Sequence, residues 1–449
     1  MKKSLIIRTI AFVLIFCVLF LVVQSVLHHR WLHSNNLYER LTDYEAATDE
    51  DVDVIAFGTS EVLASFLPIE MYHEAGITGC NMAISWKSAV TQYYQLKYVL
   101  KKHTPKVVMC DFSCLYSDCL PADNLNVYSK VIDTMPDREI KEELIREVIH
   151  LDNEQDYFVL KYPLFRYHNM WTDLKAENFE KERYYNEKYK SYRNGAQLND
   201  ETFTGGLIEV NEDLWNSEGE VNEFSQISIE YYDKFIKECQ DRGIKVVAYI
   251  PPKLNCASRD TRNLANKMEY FNSRNVECLN YNNYDSFLRA DLDLEIDYFD
   301  IEHLNAPGAV KLSRLIAKDL KEILELEDRR NDSKVSEKWN GYWDEFVNDM
   351  VRLQSSPYSQ IDMVNSLGLK SKVSIADGNV LEGVSFRELR DFANENPGNQ
   401  YIIDVTDEDG KILYTSVWKY EEDGWVDSNS SELDEEEGAS DFQDEADED

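Results

Sequence analysis

The sequence predicts an α/β protein: one N-terminal transmembrane helix, a domain built on a central, mainly parallel sheet, and a small C-terminal accessory region. Three observations carry this. Residues 9–27, TIAFVLIFCVLFLVVQSVL, contain no charged side chain. Short apolar runs (VIAF, VVMC, IKVVAYI) then alternate with segments of helical period, as β-α-β units do. Beyond residue 330 the pattern changes to short alternating runs punctuated by Asp-Gly pairs, which favour turns between strands.

At about 1.5 Å per residue, the first apolar run nearly crosses a hydrocarbon core of roughly 30 Å. Lys2, Lys3 and Arg8 precede it, which places the N-terminus in the cytoplasm and the rest of the chain outside. No small-x-small cleavage site follows the run, so residues 1–30 are expected to remain as a signal anchor in the lipid bilayer. Residues 31–50 read as a polar juxtamembrane linker. In VIAFGTSEV an apolar strand stops abruptly at Gly58-Thr59-Ser60. EVLASFLPIEMYHEAG begins the next helix, and Pro68 imposes a break within it. GITGCNMAISWKS is a turn-rich patch, AVTQYYQLKYVLKKH an amphipathic helix and TPKVVMCDFSCLY the next strand. Residues 120–225 are less regular and read as an insertion or lid, with a helix at DREIKEELIREVIH. Their aromatics can stack on sugars or form a structural floor.

The pattern resumes with a helix, Gly243 as a turn and a strand from Ile244 to Ile250. Leu264–Tyr270 reads as a helix, NVECLNYNN as a strand-to-loop passage, and YFDIEHLNAPGAVKLSRLIAKDLKEIL as a polar loop entering a strong helix. Pro307 suits the first turn of that helix, where a missing amide proton costs least. The main domain is expected over 51–330, a β-rich or α+β accessory region over 331–430 and an acidic disordered tail over 431–449.

Acids exceed bases by 84 to 47 in 449 residues, which opposes nucleic-acid binding. Residues 432–449 alone hold eleven Asp or Glu and no Lys or Arg. Of the eight cysteines, Cys17 lies in the anchor, Cys110, Cys114 and Cys119 cluster, and Cys80, Cys239, Cys256 and Cys278 are scattered. The cluster lacks a zinc spacing, so structural thiols or disulfides are expected, with neither metal nor cofactor.

Strand ends in α/β sheets deliver loop groups into the crevice at their carboxyl edge, which suits Ser60 as a nucleophile. The same serine can simply cap the next helix. Asp300-Ile301-Glu302-His303 supplies a carboxylate that can fix one imidazole nitrogen while the other faces Ser60. A solvated loop pair has the same spacing. An acyl carbonyl under attack also needs oxyanion donors: the Ser60 amide is one, and Gly79 and Asn81 are candidates for others. Gly79 can equally be a turn glycine and Asn81 its cap.

FGTSEV around Ser60, GCNMAISW around Gly79 and Asn81, and FDIEHLNAPG with Asp300 and His303 together resemble the SGNH/GDSL hydrolase superfamily over residues 51–325. The likeness is to its membrane-anchored, DltD-like or polysaccharide O-acetylation branch. GTS stands where GDS is common, and VVMCDFSCLY carries no G-x-N-D block; Asp111 cannot be assigned as the family's asparagine. The resemblance implies a three-layer α/β/α fold, a Ser60–His303–Asp300 triad and an oxyanion hole at Ser60, Gly79 and Asn81. It further implies a serine O-acyltransferase or esterase that takes an acyl donor and acts on a cell-envelope polymer or exported glycan, with a membrane-bound O-acyltransferase as partner. Hydrolysis of small esters and a noncatalytic glycan-binding or assembly role are the alternatives.

Overall fold

The computed structural model describes residues 2–27, 37–172, 174, 179, 191–202, 222–254, 264–375, 378–421 and 424–427. The chain divides into two compact units, Met1–Asn199 with Gly205–Asp344, and Asp200–Thr204 with Glu345–Asp449.

The first unit opens with helix α1 (Lys2–Leu27), which is long and apolar enough to cross a membrane. Helix α2 (Leu37–Ala46) corrects part of the linker expectation: Arg40, Leu41, Thr42, Asp43 and Tyr44 are buried, and Tyr44 donates to the Val99 carbonyl at 2.8 Å. Interleaved polar residues made LYERLTDYEA look solvated, but their partners lie far along the chain. There follow β1 (Val54–Phe57), α3 (Ser60–Leu63), α4 (Pro68–Ala75), β2 (Gly79–Asn81), α5 (Ala89–Lys102) and β3 (Val107–Cys110). Pro68 separates α3 from α4 and occupies the first turn of the latter.

The insertion begins with helices α6 (Pro121–Thr134), α7 (Arg138–Leu151), α8 (Tyr157–Lys161) and α9 (Pro163–Tyr167), while 191–202 and 222–225 are turns and irregular chain. The rest of the proposed lid, residues 173, 175–178, 180–190 and 203–221, lies outside the described residues. Then come α10 (Gln226–Gln240), β4 (Lys245–Ile250), α11 (Leu264–Asn272), β5 (Glu277–Asn280), α12 (Tyr284–Arg289) and α13 (Ala306–Ile323).

The five strands pair in the order β2-β1-β3-β4-β5, every pair parallel. All residues of β1 and β3 are buried, which is why they read as continuous apolar runs rather than alternating ones; β2, Gly-Cys-Asn, is equally buried but too short and polar to read as a strand, and corrects the turn-rich expectation there. β1 lies between β2 and β3, so its two neighbours are reached in opposite directions along the sheet. Such a reversal opens a crevice at the carboxyl ends of the strands.

Helix α14 (Ser333–Met350) runs across the division between units, so the boundary falls at Asp344, past the expected residue 330. The second unit contains α15 (Pro357–Ser366), β6 (Lys370–Ile375), β7 (Val380–Glu382), α16 (Phe386–Glu395), β8 (Gln400–Thr406), β9 (Ile412–Glu421) and β10 (Gly424–Asp427). Its strands form an antiparallel sheet in the order β10-β9-β8-β6-β7, and Gly410, at a φ of 82°, turns the chain from β8 into β9. The Gln360 carbonyl oxygen accepts from Ser416 Oγ at 2.6 Å and Trp418 Nε1 at 2.9 Å, which ties α15 to that sheet.

Among the described residues seven cysteines are free thiols; Cys256 and the acidic tail lie outside them. Burial pushes the Cys114 thiol up to about 12 and Cys119 up to about 11, so neither is poised as a thiolate.

Candidate active site

Ser60 follows β1 and Asp111 follows β3, the two strands that flank the reversal. Gly58 makes the turn feasible: a Cβ there would meet Asp111 Oδ2 at 2.8 Å and clash with Val62. Ser60 does not cap the helix. It is the first residue of α3, and Thr59 holds the cap position without making a side-chain cap bond. The Thr59 hydroxyl is instead engaged by Asp111 Oδ2 at 2.8 Å and by Glu61 Oε2. The Ser60 amide, in the first turn of a helix, has no intrahelical acceptor.

His303 Nε2 lies 2.7 Å from Ser60 Oγ, and His303 Nδ1 lies 2.8 Å from Asp300 Oδ2. Asp300 Oδ1 accepts the amides of Glu302 at 2.7 Å and His303 at 2.8 Å, so the loop's own backbone aims the carboxylate. Residues 243 positions apart thus meet in the order carboxylate, imidazole, hydroxyl.

The Asp300–His303 loop is fixed from both ends. Asn305 caps α13 by accepting from the Gly308 amide at 3.2 Å, and Asp297, fully buried, holds Lys311 at 2.9 Å. On the other side, the Ile301 carbonyl accepts from Leu254 N at 2.9 Å, in the segment that leaves β4. Ser313 of α13 donates to the Ser65 carbonyl at 3.1 Å and accepts from Leu67 N at 2.8 Å. One helix therefore braces both the nucleophile's segment and the base's loop.

Burial disfavours a charged His303, but the hydrogen bond and charge of Asp300, with Glu61 and Glu302, outweigh it and raise the imidazole pKa above its ordinary value. Burial likewise disfavours an ionised Asp300, yet His303 and the two loop amides hold its pKa below the usual carboxylate range. Glu61 is also lowered: burial opposes its charge, and Lys253 Nζ, at 2.6 Å, more than compensates. Asp111 is raised, first by burial and then by the charge of Glu61. One Thr59 hydroxyl proton cannot serve two carboxylates. The opposite directions of the two shifts make Glu61 the more readily ionised of the pair.

The structure brings Ser60, Asp300 and His303 together but corrects the other two site expectations. Gly79 pairs with Val54, at the opposite end of β1 from Ser60, where a Cβ would meet the Val54 carbonyl at 2.6 Å; its role is close strand packing. Asn81 is fully buried and its Nδ2 donates to the carbonyls of Val62 and Phe66, both at 2.9 Å, with Leu63 at 3.4 Å. Its amide is spent on holding α3 and the turn after it, not on an oxyanion. The connection after β2 reaches the level of Gly58 only at Ile84, whose amide donates to the Gly58 carbonyl at 3.1 Å. Thr59, Glu61 and Lys253 escaped the sequence reading. Lys253 follows two prolines at the carboxyl end of β4, and that position was its one available signal.

Replacing Asn81 by Ala is expected to cost about 3 kcal/mol of stability, since several buried carbonyls lose a donor together. Denaturant unfolding measures it; an unchanged midpoint with a large fall in kcat would return Asn81 to the oxyanion role.

No protein-family model, curated protein or solved structure matches the chain.

Proposed function

We propose that this protein is a membrane-anchored, extracytoplasmic serine O-acyltransferase or esterase of SGNH type, acting on a cell-envelope polymer or exported glycan. The single observation that carries the chemistry is the Ser60 Oγ to His303 Nε2 contact of 2.7 Å, with Asp300 on the other ring nitrogen. The strand order supports a three-layer fold: right-handed crossovers on either side of β1 would put helices on both faces of the sheet.

In this reading His303 takes the Ser60 proton as Oγ attacks the carbonyl carbon of the acyl donor. The Ser60 amide stabilises the oxyanion, and His303 then returns the proton to the departing oxygen. Water or an acceptor hydroxyl, deprotonated by the same imidazole, releases the acyl group from Ser60. The membrane tether and the FGTSEV and FDIEHLNAPG segments support the envelope glycan as acceptor and a membrane-bound O-acyltransferase as the supplier of acyl groups.

Exposure of the full chain to acetyl and longer acyl esters should add one acyl mass to a peptide containing Ser60, and Ser60→Ala should abolish it. Product analysis with a glycan acceptor present separates transfer from hydrolysis. Glycan binding with no acyl mass on Ser60 from any donor would replace this reading by a noncatalytic one.

A further inference from the structure

Helix α1 is exposed along its length except at Phe20, Gln24, Val26 and Leu27, a stripe of near-helical spacing at its carboxyl end. That stripe meets α8 and α9. The Phe20 ring contacts Tyr162 edge-on at 5.4 Å, and Gln24 Oε1 accepts from the Leu164 amide at 2.8 Å. Leu164 follows Pro163 in the first turn of α9, where an amide lacks an intrahelical acceptor. Thr9 and Ser25 satisfy their hydroxyls on carbonyls of α1 itself, so Gln24 is the polar side chain of the span turned toward the folded domain.

The other side of the α8–α9 hairpin is fastened down. Leu160 is fully buried, Tyr167 Oη donates to buried Asp133 Oδ2 at 2.7 Å, and Arg166 bonds Asp133 and the Val159 carbonyl. Yet Phe158, Phe165 and Trp171 leave 59%, 48% and 69% of their surfaces exposed, with Lys161 at 5.1 Å from the Tyr157 ring beside them. A rigid seat that holds large aromatics outward is costly in water and favourable at the headgroup level of a bilayer, where aromatic rings and a lysine both find suitable surroundings.

Depth agrees with this. With Arg8 at the inner boundary, Gln24 sits about 24 Å along the helix, just short of the far edge of a roughly 30 Å core. Leu164, bonded to Gln24, is carried to the same level.

We infer that residues 157–171 form an interfacial membrane surface, continuous with α1, that seats the domain in the outer leaflet through Phe158, Tyr162, Phe165 and Trp171. This rests on the proposed membrane anchoring. The consequence is a domain held at one height and orientation above the bilayer, not one swinging on a tether.

The test uses the full chain in phosphatidylcholine vesicles that contain phosphatidylcholine with a diazirine near the start of its acyl chain. After irradiation and proteolysis, lipid adducts are expected on α1 peptides and on peptides covering 157–171. The double substitution Phe158→Ser/Trp171→Ser, at exposed positions, should lower labelling of 157–171 about tenfold and leave α1 labelling unchanged. Labelled α1 with unlabelled 157–171 overturns the surface while the anchor stands, and then a glycan or protein covers these aromatics. Absence of label on both overturns surface and anchor together. Label on 157–171 alone removes the anchor and overturns a surface continuous with α1.

Discussion

Replacing His303 by Ala is expected to lower the rate of Ser60 acylation by about 10⁴-fold while leaving the protein folded. Among the described residues the imidazole is the group at Ser60 Oγ that can accept its proton, and it stands 2.7 Å away in line with Asp300. The fold does not hang on it: the loop is held through Asp297, Asn305 and the Leu254–Ile301 backbone bond, and Asp300 keeps its amide from Glu302. Rapid-mixing measurement of ester turnover, with circular dichroism as the folding control, checks both halves. A loss below tenfold would mean that the Ser60–His303 contact is not the proton path.

Asp300→Asn should cost about as much, again near 10⁴-fold, for a different reason. Asp300 Oδ1 is committed to two backbone amides, so an asparagine would keep its carbonyl oxygen there and turn its NH₂ toward His303 Nδ1. That donor would drive the ring proton to Nε2, and the ring would then face Ser60 as a donor instead of an acceptor.

The same substitution has a signature in pH. With Asp300 present, the His303 pKa is raised, so the acid limb of kcat/KM should lie above an ordinary histidine, and activity should grow as pH rises through that value. Removing the carboxylate should move the imidazole titration, followed by NMR, to lower pH. Stability runs the other way. His303, raised in the folded state, stabilises fully below its unfolded pKa of about 6.5 and loses that contribution as pH rises through the folded value. Asp300, lowered, stabilises above its unfolded pKa and loses its contribution as pH falls through the folded one. An unmoved His303 titration in Asp300→Asn would refute the electrostatic account.

Much of the framework was legible because parallel strands buried on both faces write themselves as unbroken apolar runs: VIAF, VVMC and KVVAYI became β1, β3 and β4 at their expected places. The triad residues were legible through type and position, Ser60 at a strand end and Asp300 and His303 just before the last helix of the sheet. Gly79 and Asn81 misled because sequence gives a residue's neighbours along a strand but not which end of the paired strand it faces. Register put Gly79 opposite Val54, away from Ser60. Helix α2 was missed for a related reason, since its buried Arg40 and Tyr44 donate to the carbonyls of Ala83 and Val99, forty or more residues away. Lys253 and Glu61 were invisible because a pair separated by 192 positions has no local pattern.

The brace between α13 and the Ser60 segment sets a timetable. As the chain is synthesised from its N-terminus, the strand that bears the serine is finished long before the imidazole exists, and the bonds of Ser313 to Ser65 and Leu67 can form only later still. A nascent chain that has not yet reached His303 carries only an ordinary alcohol at Ser60. The Ser60–His303 contact is thus a property of the completed fold and not of either segment alone.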